Sequence, residues 1–157
     1  MALTLMLLRH AKAKRPEDGV DDFDRKLSRR GREAATALGK LMKHDGFAPE
    51  LALVSAARRT RQTWERIAEE LGTEVPVREV RTLYLAGPAK IMELLRRVPD
   101  TTERVLVVGH NPGIGALASR LSGKELEFPT CALAAITFDA AHWRDIERGA
   151  LERYVTP

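Results

Sequence analysis

The chain has 157 residues, 44% hydrophobic and 31% charged, with a formal net charge of +4 and a pI near 9.5. This is the composition of an ordinary globular domain, long enough to bury a core unaided, and its lone Cys131 excludes an intrachain disulfide, as suits a reducing compartment. Aromatic residues are only 5% and basic residues form no long block, so a nucleic-acid binder is not indicated; the mild basicity favours some other anionic partner.

Residues 3–8 read as a buried strand. The run is too short to span a bilayer and lacks the flanks of a signal peptide, so a cytoplasmic protein with no membrane partner is expected. Residues 12–26 contain Pro16 and Gly19 and read as a loop. Ser28 is a good N-cap for a helix running to about His44, with Ala34, Ala35, Leu38, Leu41 and Met42 at helical spacing and Gly46 and Pro49 beyond it. A second short strand covers residues 51–54, and a second helix residues 57–71, with Trp64, Ile67, Ala68 and Leu71 on one face and Gly72 as its stop.

Residues 75–80 form a weak strand and residues 88–98 a third helix with Ile91, Leu94 and Leu95 inward. Residues 104–108 are the clearest internal strand, and Pro112 opens a fourth helix to Leu121. Another strand covers residues 133–138. Residues 143–155 hold one or two more, with an antiparallel hairpin across Gly149 as the two-strand alternative. Strands alternating with amphipathic helices predict one α/β domain over residues 1–157: a three-layer α/β/α sandwich with a mainly parallel sheet.

In such sheets ligands sit beyond the carboxyl ends of the strands. Arg9 and His10 follow the first strand, the run Ser55-Ala56-Ala57-Arg58-Arg59-Thr60-Arg61 follows the second, and His110 follows the central one. Singly each has an ordinary explanation: an arginine paired with an acid, a hydrogen-bonded histidine, a solvated helix face. Together they deliver polar groups to one edge of one sheet.

These residues resemble the signatures of the histidine phosphatase (phosphoglycerate mutase-like) superfamily, and more closely its short SixA-type phosphohistidine phosphatases. Arg-His-Gly appears as Arg9-His10-Ala11, with alanine for glycine. Ser-x-x-x-Arg-x-x-Gln-Thr is met by Ser55, Arg59, Gln62 and Thr63, and the late histidine by His110 in Gly109-His110-Asn111-Pro112-Gly113. Arg25, Leu27, Ser28 and Gly31 match an Arg-x-Leu-Ser/Thr-x-x-Gly segment of the short members. Ala11 implies an ordinary backbone where glycine would permit a positive φ.

The resemblance implies a phosphoglycerate mutase-like fold, His10 as a transiently phosphorylated nucleophile, and Arg9, Arg59 and His110 as the rest of a phosphate pocket. Two guanidiniums suit a phosphoryl group, because they neutralise its oxygens and grip them in forks. Neither a Walker-type loop nor a metal-ligand cluster is seen, and no cofactor is expected. Nearby arginines should keep His10 neutral and ready to attack. The larger members place a carboxylic acid where this chain has Thr82-Leu83-Tyr84; Glu79, Asp21 and Asp22 stay open as proton donors. A phosphohistidine needs such help less than an ester does, so a phosphorylated protein is the expected partner, either a histidine phosphotransfer domain or a phosphocarrier, with inorganic phosphate as product. Lys12, Lys14, Arg15, Arg58 and Arg61 are candidates for a basic rim that meets it. The short members imply a monomer. A small-molecule phosphomonoesterase or mutase, and a non-catalytic phosphoprotein-binding module, are the competing readings. Cys131 reads as a core residue, since Thr137 stands where a cysteine phosphatase needs arginine.

Overall fold

A computed structural model describes residues 2–157. The order is β1 (Ala2–Arg9), α1 (Arg29–Asp45), β2 (Leu51–Ser55), α2 (Arg58–Leu71), β3 (Val77–Val80), α3 (Pro88–Leu95), β4 (Arg104–Gly109), α4 (Gly113–Ser122), β5 (Leu133–Asp139) and β6 (Ala150–Val155), with short 3-10 turns at Asp22–Asp24, Arg81–Leu83 and Trp143–Asp145. The strands form one sheet in the order β3-β2-β4-β1-β5-β6. The pairings β3–β2, β2–β4 and β4–β1 are parallel, while β1–β5 and β5–β6 are antiparallel.

Both faces of the sheet are covered, as its strand sequences require. Leu3, Leu5 and Leu7 of β1, with Val105 and Val107 of β4, pack under α3 and α4 against Ile91, Leu95, Leu117 and Leu121. The alternate residues Met6, Leu8, Leu106 and Val108 pack under α1 and α2 against Leu38, Met42, Trp64 and Ile67. The sandwich is therefore three-layered, and the period-2 pattern within each apolar run sorts its residues between two cores.

Local signals placed most boundaries. Ser28 accepts a hydrogen bond from the Gly31 N–H at the start of α1, and Gly46 closes that helix with φ of 69°. Gly72 ends α2 in the same left-handed conformation. Cys131 is buried, and burial pushes its thiol up to about 12. At the end of the chain the single-strand alternative is the one formed. Residues 143–155 hold one strand, β6, paired with β5, and no hairpin forms across Gly149. The Gly149 N–H donates to the Leu121 carbonyl, and a Cβ there would lie 2.4 Å from the Thr137 carbonyl oxygen. That glycine serves close approach to β5 rather than a turn.

The segment before α1 is a strap over residues 13–27, closed at its base by an antiparallel bridge between Ala13 and Leu27. The start of α1 is fastened to the chain just past His10. Ser28 donates to the Lys12 carbonyl through both its backbone N–H (2.9 Å) and its hydroxyl (3.1 Å). A Cβ on Gly31 would lie 2.0 Å from that same carbonyl oxygen. Gly31→Ala should therefore force α1 away from the strand end and cost about 2–3 kcal/mol of stability, as overpacking against backbone does. Urea denaturation measures it, and a variant as stable as the parent would show the contact to be soft.

Candidate active site

Strand order assembles the site. β4 lies between β2 and β1 and runs parallel to both, so three carboxyl ends meet at one edge. Arg9 ends β1, Ser55 ends β2, and His110 follows β4, while Arg59 sits in the first turn of α2. The four expected residues converge there. His10 is 7% exposed, Arg59 3% and His110 2%, and Arg9 is half-buried. The two imidazole centroids are 5.3 Å apart.

Main-chain bonds fix the turn that carries His10. Its N–H donates to the Gly109 carbonyl (3.1 Å), extending the β1–β4 ladder by one residue. Ala11 keeps an ordinary φ, since the only non-glycine residues with positive φ among the described ones are Leu85 and Cys131. The Ala11 N–H donates to Thr63 Oγ1 (2.9 Å), whose hydroxyl donates to the Arg59 carbonyl (2.7 Å). Gln62 Oε1 accepts from the Leu27 N–H (2.8 Å). The Gln-Thr pair of the second motif thus binds α2 to both the His10 turn and the strap.

Hydrogen bonding also sets the tautomers. His10 Nδ1 lies 2.7 Å from the Ala11 carbonyl oxygen, which can only accept, so Nδ1 carries the proton. The lone pair is then on Nε2, which accepts from Arg59 Nε at 3.4 Å. His110 is the reverse. Its Nδ1 accepts from Arg59 Nη2 (3.4 Å), and its Nε2–H donates to the buried Ser55 hydroxyl (2.8 Å). Burial, with Arg59 and Arg9 nearby, lowers His10 to about 4. Burial, His10 and Arg59 lower His110 to about 3. Both rings are neutral near pH 7.

Arg9 has no acidic partner. Its Nη1 donates to the Phe128 carbonyl (3.1 Å), which Asn111 Nδ2 also contacts (2.8 Å), and its Nε is buried without a hydrogen bond. Burial and Arg59 pull its pKa down from the ordinary arginine value. The first turns of α2 and α4 contain no acidic residue, so their positive ends face this edge uncompensated. Positive charge is thereby gathered around an unprotonated imidazole nitrogen, an arrangement suited to an anion.

Two side chains stand at the mouth, Tyr84, to which the sequence reading gives no role, and Asp22, which it names only as an open proton donor. Tyr84 stands edge-on to His110 (centroids 5.4 Å) and donates its hydroxyl to Asp22. Asp22 also accepts from Arg59 and Arg25, and these donors, Tyr84 first, hold its carboxyl down to about 2. Asp22 does not read as a proton donor here, because Tyr84, Arg25 and Arg59 all donate to its carboxyl and hold it in the ionised form. Asp21 and Glu79 are exposed and make no side-chain hydrogen bond to the four converging residues. Tyr84 stands in the stretch compared above with the acid-bearing segment of larger relatives, which was the one signal that pointed to it. Among the described residues, no group of three His, Cys, Asp or Glu side chains is placed to hold a metal ion.

Of the basic rim, Lys14, Arg15 and Arg58 line a hollow of about 140 Å³ beside the strap, with Lys26 and Arg25. Lys12 and Arg61 lie outside it, and Arg61 Nε donates to the Ala56 carbonyl (3.0 Å).

In an NMR titration of the free protein, both imidazoles should stay neutral well below the ordinary midpoint of about 6.5. Because their folded pKa values are depressed, the unfolded chain binds the extra protons. The stability they contribute is full above about pH 6.5 and is lost as pH falls towards their folded values. A melting temperature that drops over this window, and drops less in a His10→Asn/His110→Asn variant, checks the sign. Equal pH dependence in both proteins would refute it.

Comparison with known proteins agrees with this geometry. A family model described as histidine phosphatase superfamily (branch 1) matches residues 5–83. An uncharacterised protein of Mycobacterium tuberculosis is 36% identical over 153 residues, covering 90% of this chain and 93% of the relative. A solved structure described as a candidate phosphohistidine phosphatase SixA, from Nakamurella multipartitia, superposes with a TM-score of 0.87 at 30% identity, covering 100% of this chain and 97% of that one. A similarly described structure from Agrobacterium tumefaciens gives 0.87 at 28% identity, covering 99% and 98%. The half of the chain that carries Arg9, His10, Ser55 and Arg59 matches the family model, and the fold places His110 beside them: the chain belongs to the histidine phosphatase superfamily, branch 1.

Proposed function

We propose that this phosphatase hydrolyses phosphohistidine on a protein, through a phosphorylated His10, without a metal. His10 Nε2 attacks phosphorus in line with the leaving nitrogen. The new P–Nε2 bond forms as the substrate's P–N bond breaks, and the departing imidazole has taken its proton from solvent at its other nitrogen. The Nδ1–H bond to the Ala11 carbonyl supports the positive charge that then develops on the His10 ring. Arg9 and Arg59 neutralise the transferring oxygens. Water next attacks the phosphorylated His10, restoring the imidazole and releasing inorganic phosphate. His110, neutral in the empty pocket, takes up a proton when the dianion arrives, because the incoming negative charge reverses the field that Arg59 imposes on it.

One observation carries the choice of substrate. The carboxylate nearest the pocket is ionised and engaged, and burial and Asp22 raise the Tyr84 hydroxyl further above its ordinary range. Among the described residues, no carboxyl or phenol at the mouth is poised to protonate an alkoxide, which a phosphate ester must expel. A protonated phosphohistidine leaves as a neutral imidazole and needs no such donor. Similarity to candidate SixA structures supports the same reading. The strap hollow, where Lys14, Arg15, Arg25, Lys26 and Arg58 outnumber Glu17 and Asp24, suits an acidic carrier such as a histidine phosphotransfer domain or a phosphocarrier. The reading places a monomeric enzyme in the cytoplasm, in keeping with its single buried thiol.

Rapid quench with a ³²P-labelled phosphohistidine protein should trap an acid-labile label on His10, and His10→Ala should abolish turnover. Turnover by His10→Ala, or faster turnover of small phosphate esters than of phosphohistidine protein, would overturn the proposal. Turnover of the protein substrate should also fall more steeply with salt than turnover of a small ester, because only the former uses the rim; equal slopes would remove the rim from recognition. In a separate titration, inorganic phosphate should raise the midpoint of His110, and an unmoved midpoint would remove its protonation step.

A further inference from the structure

Asp22 is the charged group at the pocket that the transfer itself does not use. Its main-chain oxygen accepts from Arg59 Nη1 at 2.7 Å, and its Oδ2 accepts from Arg59 Nη2 at 3.0 Å. This is a two-point grip on one edge of the guanidinium. The other edge, Nε and Nη2, faces His10 Nε2 and His110 Nδ1, each at 3.4 Å. These two contacts are long and weak, so phosphoryl oxygens can replace them. The grip on Asp22 is shorter and charge-assisted, so it can persist while they do.

Asp22 is itself pinned. Oδ1 accepts from Arg25 Nε (2.9 Å), and Arg25 Nη1 reaches back to the Lys14 carbonyl (2.8 Å) within the strap. Oδ2 accepts from Tyr84, whose ring meets Phe23 edge-on at 5.1 Å. The strap is therefore fastened to the opposite wall of the mouth through one carboxylate.

We propose that Asp22 is a positioning residue: it holds Arg59 by its outer edge and so turns the inner edge to the gap between His10 and His110, where the phosphoryl group is transferred. The proposal rests on the pocket reading given above. It also has a signature that a merely loosened fold would not share. Removing a negative charge from the mouth favours any phosphate dianion in the ground state, whereas freeing the guanidinium harms only the aligned transition state.

The test is Asp22→Asn, assayed on p-nitrophenyl phosphate and phenyl phosphate. We expect kcat to fall by about 10²-fold, the scale of a misplaced catalytic group, by the same factor on both esters. KM and inhibition by inorganic phosphate should be unchanged or tighter, even where loss of the Arg59 counter-charge lowers the melting temperature. A parental kcat overturns the proposal. So does a KM that rises as far as kcat falls, or a larger loss on phenyl phosphate, which would make Asp22 a proton donor. Should Asp22→Asn not fold, Tyr84→Phe removes one of the donors that pin the carboxylate and should lower kcat on both esters equally; parental kcat there overturns the proposal as well. His10→Ala separates the two layers: turnover by that variant overturns the pocket reading, whereas an inactive His10→Ala beside an unimpaired Asp22→Asn overturns the positioning role alone.

Discussion

Arg59 carries a full charge at 3% exposure, and burial makes such a charge costly unless its N–H groups are answered. It is answered on both sides. Asp22 takes the outer edge, and the two imidazoles take the inner edge with contacts weak enough to exchange. The chemistry of the pocket follows from that asymmetry. A guanidinium bound tightly all round would have no donors left for substrate, and one bound nowhere would stay in water.

The same charge sets the state of the histidines. With burial and with Arg9 and Arg59 close by, neither ring holds a second proton, so the His10 lone pair is available and its direction is fixed by the Nδ1–H bond to the Ala11 carbonyl. Serine, threonine and glutamine of the second motif act at one remove. Ser55 orients His110, Thr63 holds the His10 turn, and Gln62 ties the strap to α2. The motif is thus a set of clasps around one arginine, and its spacing is that of a strand end followed by a helix whose first two turns face the same edge.

Much of this was legible from the residues alone. The apolar runs marked five of the six strands to within about two residues, and serine and glycine signals bounded α1 and α2, because these features depend on neighbours in sequence. The hairpin alternative for residues 143–155 does not form: Gly149 has the look of a turn, whereas its need for a bare Cα comes from β5 pressing against it, a contact with residues about twelve positions away. Asp22 was visible as a carboxylate near the site, but its role was not. Whether such a group gives a proton or grips a guanidinium depends on which donors surround it, and Arg25, Arg59 and Tyr84 come from three separate elements.

The residues alone supplied the cast: Arg9-His10 at the end of a strand, Arg59 in the first turn of a helix, a second histidine after the central strand, and the alternation that buries a sheet on both faces. Only the tertiary structure decided that β4 inserts between β1 and β2, which brings His110 within 5.3 Å of His10. Strand order and the His110 tautomer are settled by packing and hydrogen bonds between residues that are roughly 50 to 100 positions apart, and no local pattern encodes such separations.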